Sequence, residues 1–139
     1  MFDALYTYLN EKIDLSTEDT ELIGASVSLR KLRRNQYLLQ EGDVCQFVAF
    51  VSKGCLRTYR VDPKGKEHII YFAVENWWAG DRESYLNEKP SSFYVDAVEA
   101  SEVIMFHKSN FEMLCTEIPE FGGVMKIILP EPTCRLLPV

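Results

Sequence analysis

The sequence contains no apolar run long enough to cross a membrane. Its longest candidate, Ile69-Ile70-Tyr71-Phe72-Ala73-Val74, has the length of a β-strand, whereas a spanning helix needs about 18 consecutive apolar residues or more. The N-terminus, Met1-Phe2-Asp3-Ala4, has neither the basic residues nor the apolar core of a secretory signal, so a cytoplasmic protein is expected. Histidine is scarce: His68 and His107 stand apart, with no H-x-H pair. Cys45, Cys55, Cys115 and Cys134 form no C-x-x-C pair. That scarcity disfavours a metal-dependent cupin and a haem or iron–sulfur sensor, both of which need clustered ligands, and the cysteines read as reduced thiols. There is no Ser–His–Asp set, P-loop or glycine-rich dinucleotide motif. The neighbouring acids Asp81 and Glu83 are too common a pattern to signal acid–base catalysis, so no enzymatic activity is expected.

Positive charge is also in deficit, with 15 Lys and Arg against 21 Asp and Glu and a net charge of -6. A domain built to hold a polyanion is normally basic, so this segment is not expected to grip nucleic acid itself. The one dense basic run, Arg30-Lys31-Leu32-Arg33-Arg34, falls on a strand and the turn after it. There it reads as a solvated sheet edge that discourages pairing with other chains.

What is present suits one globular domain: 47% hydrophobic and 26% charged residues over 139 positions. Phe2, Leu5, Tyr6, Leu9 and Ile13 recur at helical spacing. Ser16-Thr17-Glu18-Asp19 then supplies an N-cap with acids in the first turn of a second short helix through Leu22 and Ile23. From residue 26 the spacing becomes that of strands, around Val27 and Leu29, Tyr37 and Leu39, and Gln46 to Val51. Asp62-Pro63-Lys64-Gly65 has proline preset for the second turn position and glycine at the fourth. It should join Leu56–Val61 to Glu67–Val74 as a hairpin. Two further strands, Phe93–Val98 and Glu102–His107, follow an irregular stretch. Adjacent Trp77 and Trp78 should point opposite ways, one to the core and the other to a pocket or interface. Helical spacing returns with Phe111, Leu114, Cys115 and Ile118, opened by Ser109 or Asn110 as N-cap. A last helix from Pro119 is weakened by Gly122-Gly123 and stopped by Pro130 and Pro132. The expected fold is mainly β, a double-stranded β-helix (jelly roll) of about eight strands with flanking short helices. Residues 1–118 should form the β-roll with its N-terminal helices, and 119–139 the start of a dimerisation helix with a truncated tail.

Several segments, in this order, give the chain a relative. They are Gln36-Tyr37-Leu38-Leu39-Gln40-Glu41-Gly42-Asp43, Phe50-Val51-Ser52-Lys53-Gly54-Cys55-Leu56-Arg57-Thr58-Tyr59, Gly65-Lys66-Glu67, Gly80-Asp81, Ala97 to Val103, and the helix at Phe111-Glu112-Met113-Leu114. From about residue 3 to 125 the chain resembles the cyclic-nucleotide-binding domain of the catabolite-activator (Crp/Fnr) family of transcription regulators. The resemblance implies a phosphate-binding cassette between the sixth and seventh strands. In the family, its short helix presents backbone N–H groups to the phosphate, an acid after glycine takes a ribose hydroxyl, and an arginine followed by Ser or Thr neutralises the phosphate. Carried over, the Gly-acid pair falls on Gly80-Asp81 and the Arg-Ser pair on Ser91-Ser92.

The arginine is thus replaced by serine, which supplies no charge and no bidentate fork. A desolvated phosphate facing only neutral donors and Asp81 loses several kcal/mol against one paired with arginine, so cyclic AMP should not bind in the usual way. Arg82 or Lys89 could compensate from a different geometry, and Phe93 could fill part of the pocket. Candidate ligand-binding residues are Ile70, Trp78, Gly80, Asp81, Arg82, Ser91 and Ser92. Two readings stay open: a collapsed pocket, or a small effector, a cyclic nucleotide or another molecule. The resemblance also implies an effector-sensing domain that forms a homodimer through Phe121, Val124, Met125 and Ile128. DNA would be reached only through a C-terminal helix-turn-helix domain absent from this chain. A free-standing ligand- or protein-binding module without DNA-binding activity is the alternative.

Overall fold

The computed structural model describes residues 1–129. The expected helix stop at Pro130-Glu131-Pro132 and the tail 133–139 lie outside the described residues. The chain opens with α1 (Asp3–Asn10) and α2 (Thr17–Ser26). Ser16 caps α2 by accepting the Asp19 N–H at 3.0 Å, and the Asp19 carboxylate accepts the Ser16 N–H in return. This reciprocal box satisfies two amides that the first helical turn leaves without partners.

Strands β1 (Ser28–Leu32), β2 (Tyr37–Leu39), β3 (Phe47–Lys53), β4 (Leu56–Val61) and β5 (Glu67–Ala73) follow, then β6 (Trp78–Ala79), helix α3 (Arg82–Asn87), β7 (Tyr94–Ala97) and β8 (Ser101–His107). They build two four-stranded antiparallel sheets, ordered β1-β8-β3-β6 and β2-β7-β4-β5. This is the eight-strand sandwich with flanking helices that the spacing of strands and turns implied. The basic run begins on β1, an edge strand, and continues with Arg33 and Arg34 into the turn after it. At the β4–β5 turn the Gly65 N–H reaches the Asp62 carbonyl at 2.9 Å, and the Asp62 carboxylate accepts the N–H groups of Lys64 and Lys66. On the outer sheet, Arg57 forks onto its cross-strand neighbour Asp96 at 2.8 and 3.3 Å. The carboxylate raises the Arg57 pKa further above its already high value.

Strand β3 runs Val48-Ala49-Phe50-Val51 without a polar residue, and all four are buried. Its two faces are both covered. Phe50 pairs in register with Trp78 and Ile104, and Val48 with Phe106, on the face that meets the helices. There Tyr8 of α1 packs its ring 5.0 Å from Phe50. The opposite face turns toward the second sheet. Burial on both sides explains the continuous apolar run, where a half-solvated strand alternates.

Helices α4 (Lys108–Glu117) and α5 (Pro119–Ile128) close the structure, and three expectations are corrected here. First, α4 starts ahead of Ser109, and neither Ser109 nor Asn110 caps it. The Lys108 N–H goes instead to the Gln46 carbonyl, while Asn110 Nδ2 donates to the Ser26 carbonyl at 3.1 Å and ties α4 to the end of α2. Second, Gly122-Gly123 does not interrupt α5. A Cβ at Gly122 would stand 2.6 Å from the Cys115 carbonyl oxygen, so glycine lets the two helix backbones meet. That close packing outweighs a propensity loss of about 1 kcal/mol.

Third, Phe121 and Met125 do not face a partner. Phe121 is 0% exposed and packs on Phe106 and Phe111, with ring centroids 6.0 and 5.7 Å away, and Met125 is equally enclosed. They belong to the core of one chain. The outer side of α5 carries Ile127, 80% exposed, beside the partly buried Val124 and Ile128.

Candidate functional site

The segment joining β6 to β7 holds Gly80 and Glu88 at positive φ together with the buried polar residues Asp81, Ser84 and Ser91. Gly80 sits at φ +134, a conformation that residues with a Cβ rarely adopt, and it turns the chain from β6 into α3. Asp81 then caps α3, accepting the Ser84 N–H at 3.2 Å. Its second oxygen accepts the Ser91 hydroxyl at 2.7 Å, and both residues are buried. Ser91 Oγ also accepts the Phe93 N–H at 3.0 Å. Ser84 donates its hydroxyl to the Lys89 carbonyl and accepts the Cys45 N–H at 2.8 Å. The loop from Lys89 to Phe93 is therefore sewn to α3 by short polar contacts.

Behind this lock lies a cavity of about 30 Å³, lined by Phe47, Val48, Tyr71, Trp78, Gly80, Asp81, Arg82 and Tyr85 among others. That space suits one or two water molecules. It is far below the several hundred Å³ of a typical small-molecule site. Trp78, Gly80, Asp81 and Arg82 meet there as expected, but three expected residues do not. Ser91 is spent on Asp81, and Ser92 is exposed. Ile70, 49% exposed on edge strand β5, lines a separate open groove of about 510 Å³ with Tyr8, Trp77, Trp78 and Ile128. Phe93 does not line the small cavity either. Of the two tryptophans, Trp77 faces solvent, while Trp78 packs on Phe50 and donates its indole N–H to the Tyr8 hydroxyl at 3.2 Å.

Arg82 does not turn toward Ser91. Its guanidinium lies 4.8 Å from the centre of the Tyr85 ring, one helical turn along α3. Arg82 Nε, Arg82 Nη1 and Tyr85 Oη are buried, and none of the three completes a hydrogen bond among the described residues. Burial, aided by the charge of Glu112, pushes the Tyr85 pKa up to about 12; the nearby guanidinium opposes that rise without closing a well-aligned bond. Burial likewise raises the thiol pKa of Cys45, on the other side of α3. Sequence reading overlooked Tyr85. Its spacing from Arg82 on a short helix was the available signal.

A two-sheet roll with a capped short helix between its sixth and seventh strands defines a class of ligand-sensing domain. Residues 29–117 match the cyclic nucleotide-binding domain model, and the chain belongs to that family. No curated protein matches the sequence. Among solved structures, the chain is similar to the Thermus thermophilus catabolite activator protein, at 22% identity and a TM-score of 0.73. The match covers 88% of this chain and 55% of that one, so the 139 residues span about half of that regulator. It is also similar to the sensor domain of the Pseudomonas aeruginosa transcriptional regulator DNR, at 20% identity and a TM-score of 0.77, over 97% and 87% of the two chains. A third is the regulatory subunit of a cAMP-independent protein kinase A from Trypanosoma brucei, at 14% identity and a TM-score of 0.67, over 87% and 44%. At these identities the likeness concerns the fold. Among the described residues no helix is long and apolar enough to cross a membrane.

Proposed function

We propose that this chain is the effector-sensing domain of a cytoplasmic transcription regulator of the catabolite-activator type, with a cassette that does not hold cyclic AMP in the usual way. The observation that carries the second half is the buried 2.7 Å hydrogen bond between Ser91 and Asp81. The acid that would take a sugar hydroxyl and the serine standing where an arginine would neutralise phosphate satisfy each other instead. A nucleotide entering there has to break that bond, displace the loop and then sit beside an uncompensated carboxylate. In this reading the effector is a different small molecule. Two copies associate through the outer side of α5, around Val124, Ile127 and Ile128, and DNA is contacted by a domain outside these residues.

Titration calorimetry with cyclic AMP and cyclic GMP tests the reading. At millimolar nucleotide no saturable heat is expected. Micromolar binding that disappears in Asp81→Ala would overturn it. Light scattering on eluted protein tests the dimer, which Ile127→Glu should dissociate without unfolding the chain.

A further inference from the structure

The three buried groups without partners, Arg82 Nε, Arg82 Nη1 and Tyr85 Oη, stand in an informative place. Arg82 and Tyr85 are the two residues that line both the 30 Å³ cavity and a second space, a cleft of about 320 Å³ between α3, α4 and α5. They form the partition between the two. Tyr85 is only 2% exposed, so water cannot freely supply what its hydroxyl lacks. All three orphan atoms can donate, and an arginine can only donate. What is missing is therefore an acceptor, and beside a guanidinium the acceptor that compensates best is an anion.

The cleft has matching features. Lys126 of α5 lies on its rim and adds a second positive charge, and Thr116 contributes a hydroxyl. Glu112 is the opposing charge on the same wall. Two cations against one carboxylate leave the cleft net positive in a chain whose net charge is -6. Phe111 and Met125 supply an apolar floor. The volume, at the small end of ligand sites, is ample for a compact oxyanion.

We propose that the α3–α4–α5 cleft binds a small oxyanion, a phosphate or carboxylate group, held by a charge-assisted hydrogen bond from Arg82 and by the Tyr85 hydroxyl. The inference rests on the sensor reading only in treating that anion as an effector, since neither Asp81 nor Ser91 lines the cleft. Such an anion would tie α3, at the end of the cassette, to α4 and α5. Its presence could then be felt on the outer side of α5.

The test is thermal unfolding of the chain in inorganic phosphate and, separately, in succinate, with ionic strength held constant by chloride. A saturable rise is expected with at least one of them, on the order of 8 °C at a hundredfold excess over Kd. A response to phosphate alone points to phosphorylated ligands and to succinate alone to carboxylates; both support an oxyanion site. Arg82→Met should abolish the saturable response. Tyr85→Phe, which deletes only an orphan hydroxyl and should fold, should raise the apparent Kd on the order of tenfold. An equal rise in wild type and both variants would be a general salt effect and would overturn the proposal. So would the absence of a saturable response to either anion in the wild type. Failure here leaves the cyclic-nucleotide titration untouched, and the reverse also holds.

Discussion

Replacing Ser91 and Asp81 by alanine, singly and together, measures how firmly the cassette is closed. Ser91→Ala deletes a buried hydrogen bond to a carboxylate, worth about 1.5–3 kcal/mol. Asp81→Ala deletes the same bond and also the cap on the Ser84 N–H, worth about 1 kcal/mol more. The lone serine left by that change can swing toward the Phe93 carbonyl at 3.4 Å, which pulls the loss toward the lower end. Because the shared bond is lost only once, the double variant should fall short of the summed single losses by about 1.5–3 kcal/mol. Urea unfolding of the four proteins gives each term, and thermal unfolding gives a parallel reading at about 3 °C per kcal/mol for a chain of this size. A coupling within about 0.5 kcal/mol of zero is what independent sites show. That result would mean the contact does not hold the loop, and the closed-cassette reasoning would fail with it.

Two other outcomes follow from buried side chains. Phe121→Ala should destabilise the chain by about 3–5 kcal/mol, a melting-temperature fall on the order of 10 °C, because the ring fills the core between Phe106 and Phe111. A loss of dimer with unchanged monomer stability, seen by light scattering and calorimetry, would return Phe121 to an intersubunit seam. Tyr85 gives a pH signature. Its pKa is raised to about 12 in the folded chain from 10.0. The protonated phenol therefore contributes stability that is fully present below pH 10 and is lost as pH rises toward 12. Tyr85→Phe should flatten the alkaline arm of a stability-against-pH curve over that window, and identical curves for the two proteins would contradict the burial of the hydroxyl.

The sandwich was legible in the sequence because its signals are local. Asp62-Pro63-Lys64-Gly65 encodes its turn in four residues, Ser16 and Asp19 encode a cap, and the run of β3 announces a strand buried on both faces. Gly80-Asp81 sits just before α3, and Asp81 caps it. Ser91 stands where the family resemblance would put an arginine, and no arrangement of the chain can give serine a charge.

The direction taken by each side chain was a tertiary decision. The family resemblance assigned Phe121, Val124, Met125 and Ile128 to one seam, but α4 and the aromatic side of β8 claim Phe121 and Met125 and leave Ile127 outside. Helix propensity counted against Gly122, while the approach of the Cys115 carbonyl requires it. Ser91 and Asp81 both came forward as ligand groups, and only the folded loop shows that they bind each other. The sequence by itself determined the roll and its turns, through rules that operate within a few residues. Only the tertiary structure decided that Ser91 and Asp81 bind each other and that Arg82 and Tyr85 meet, among the described residues, without an acceptor. Both facts depend on which groups from distant segments converge, and on whether their donors and acceptors balance once water is gone.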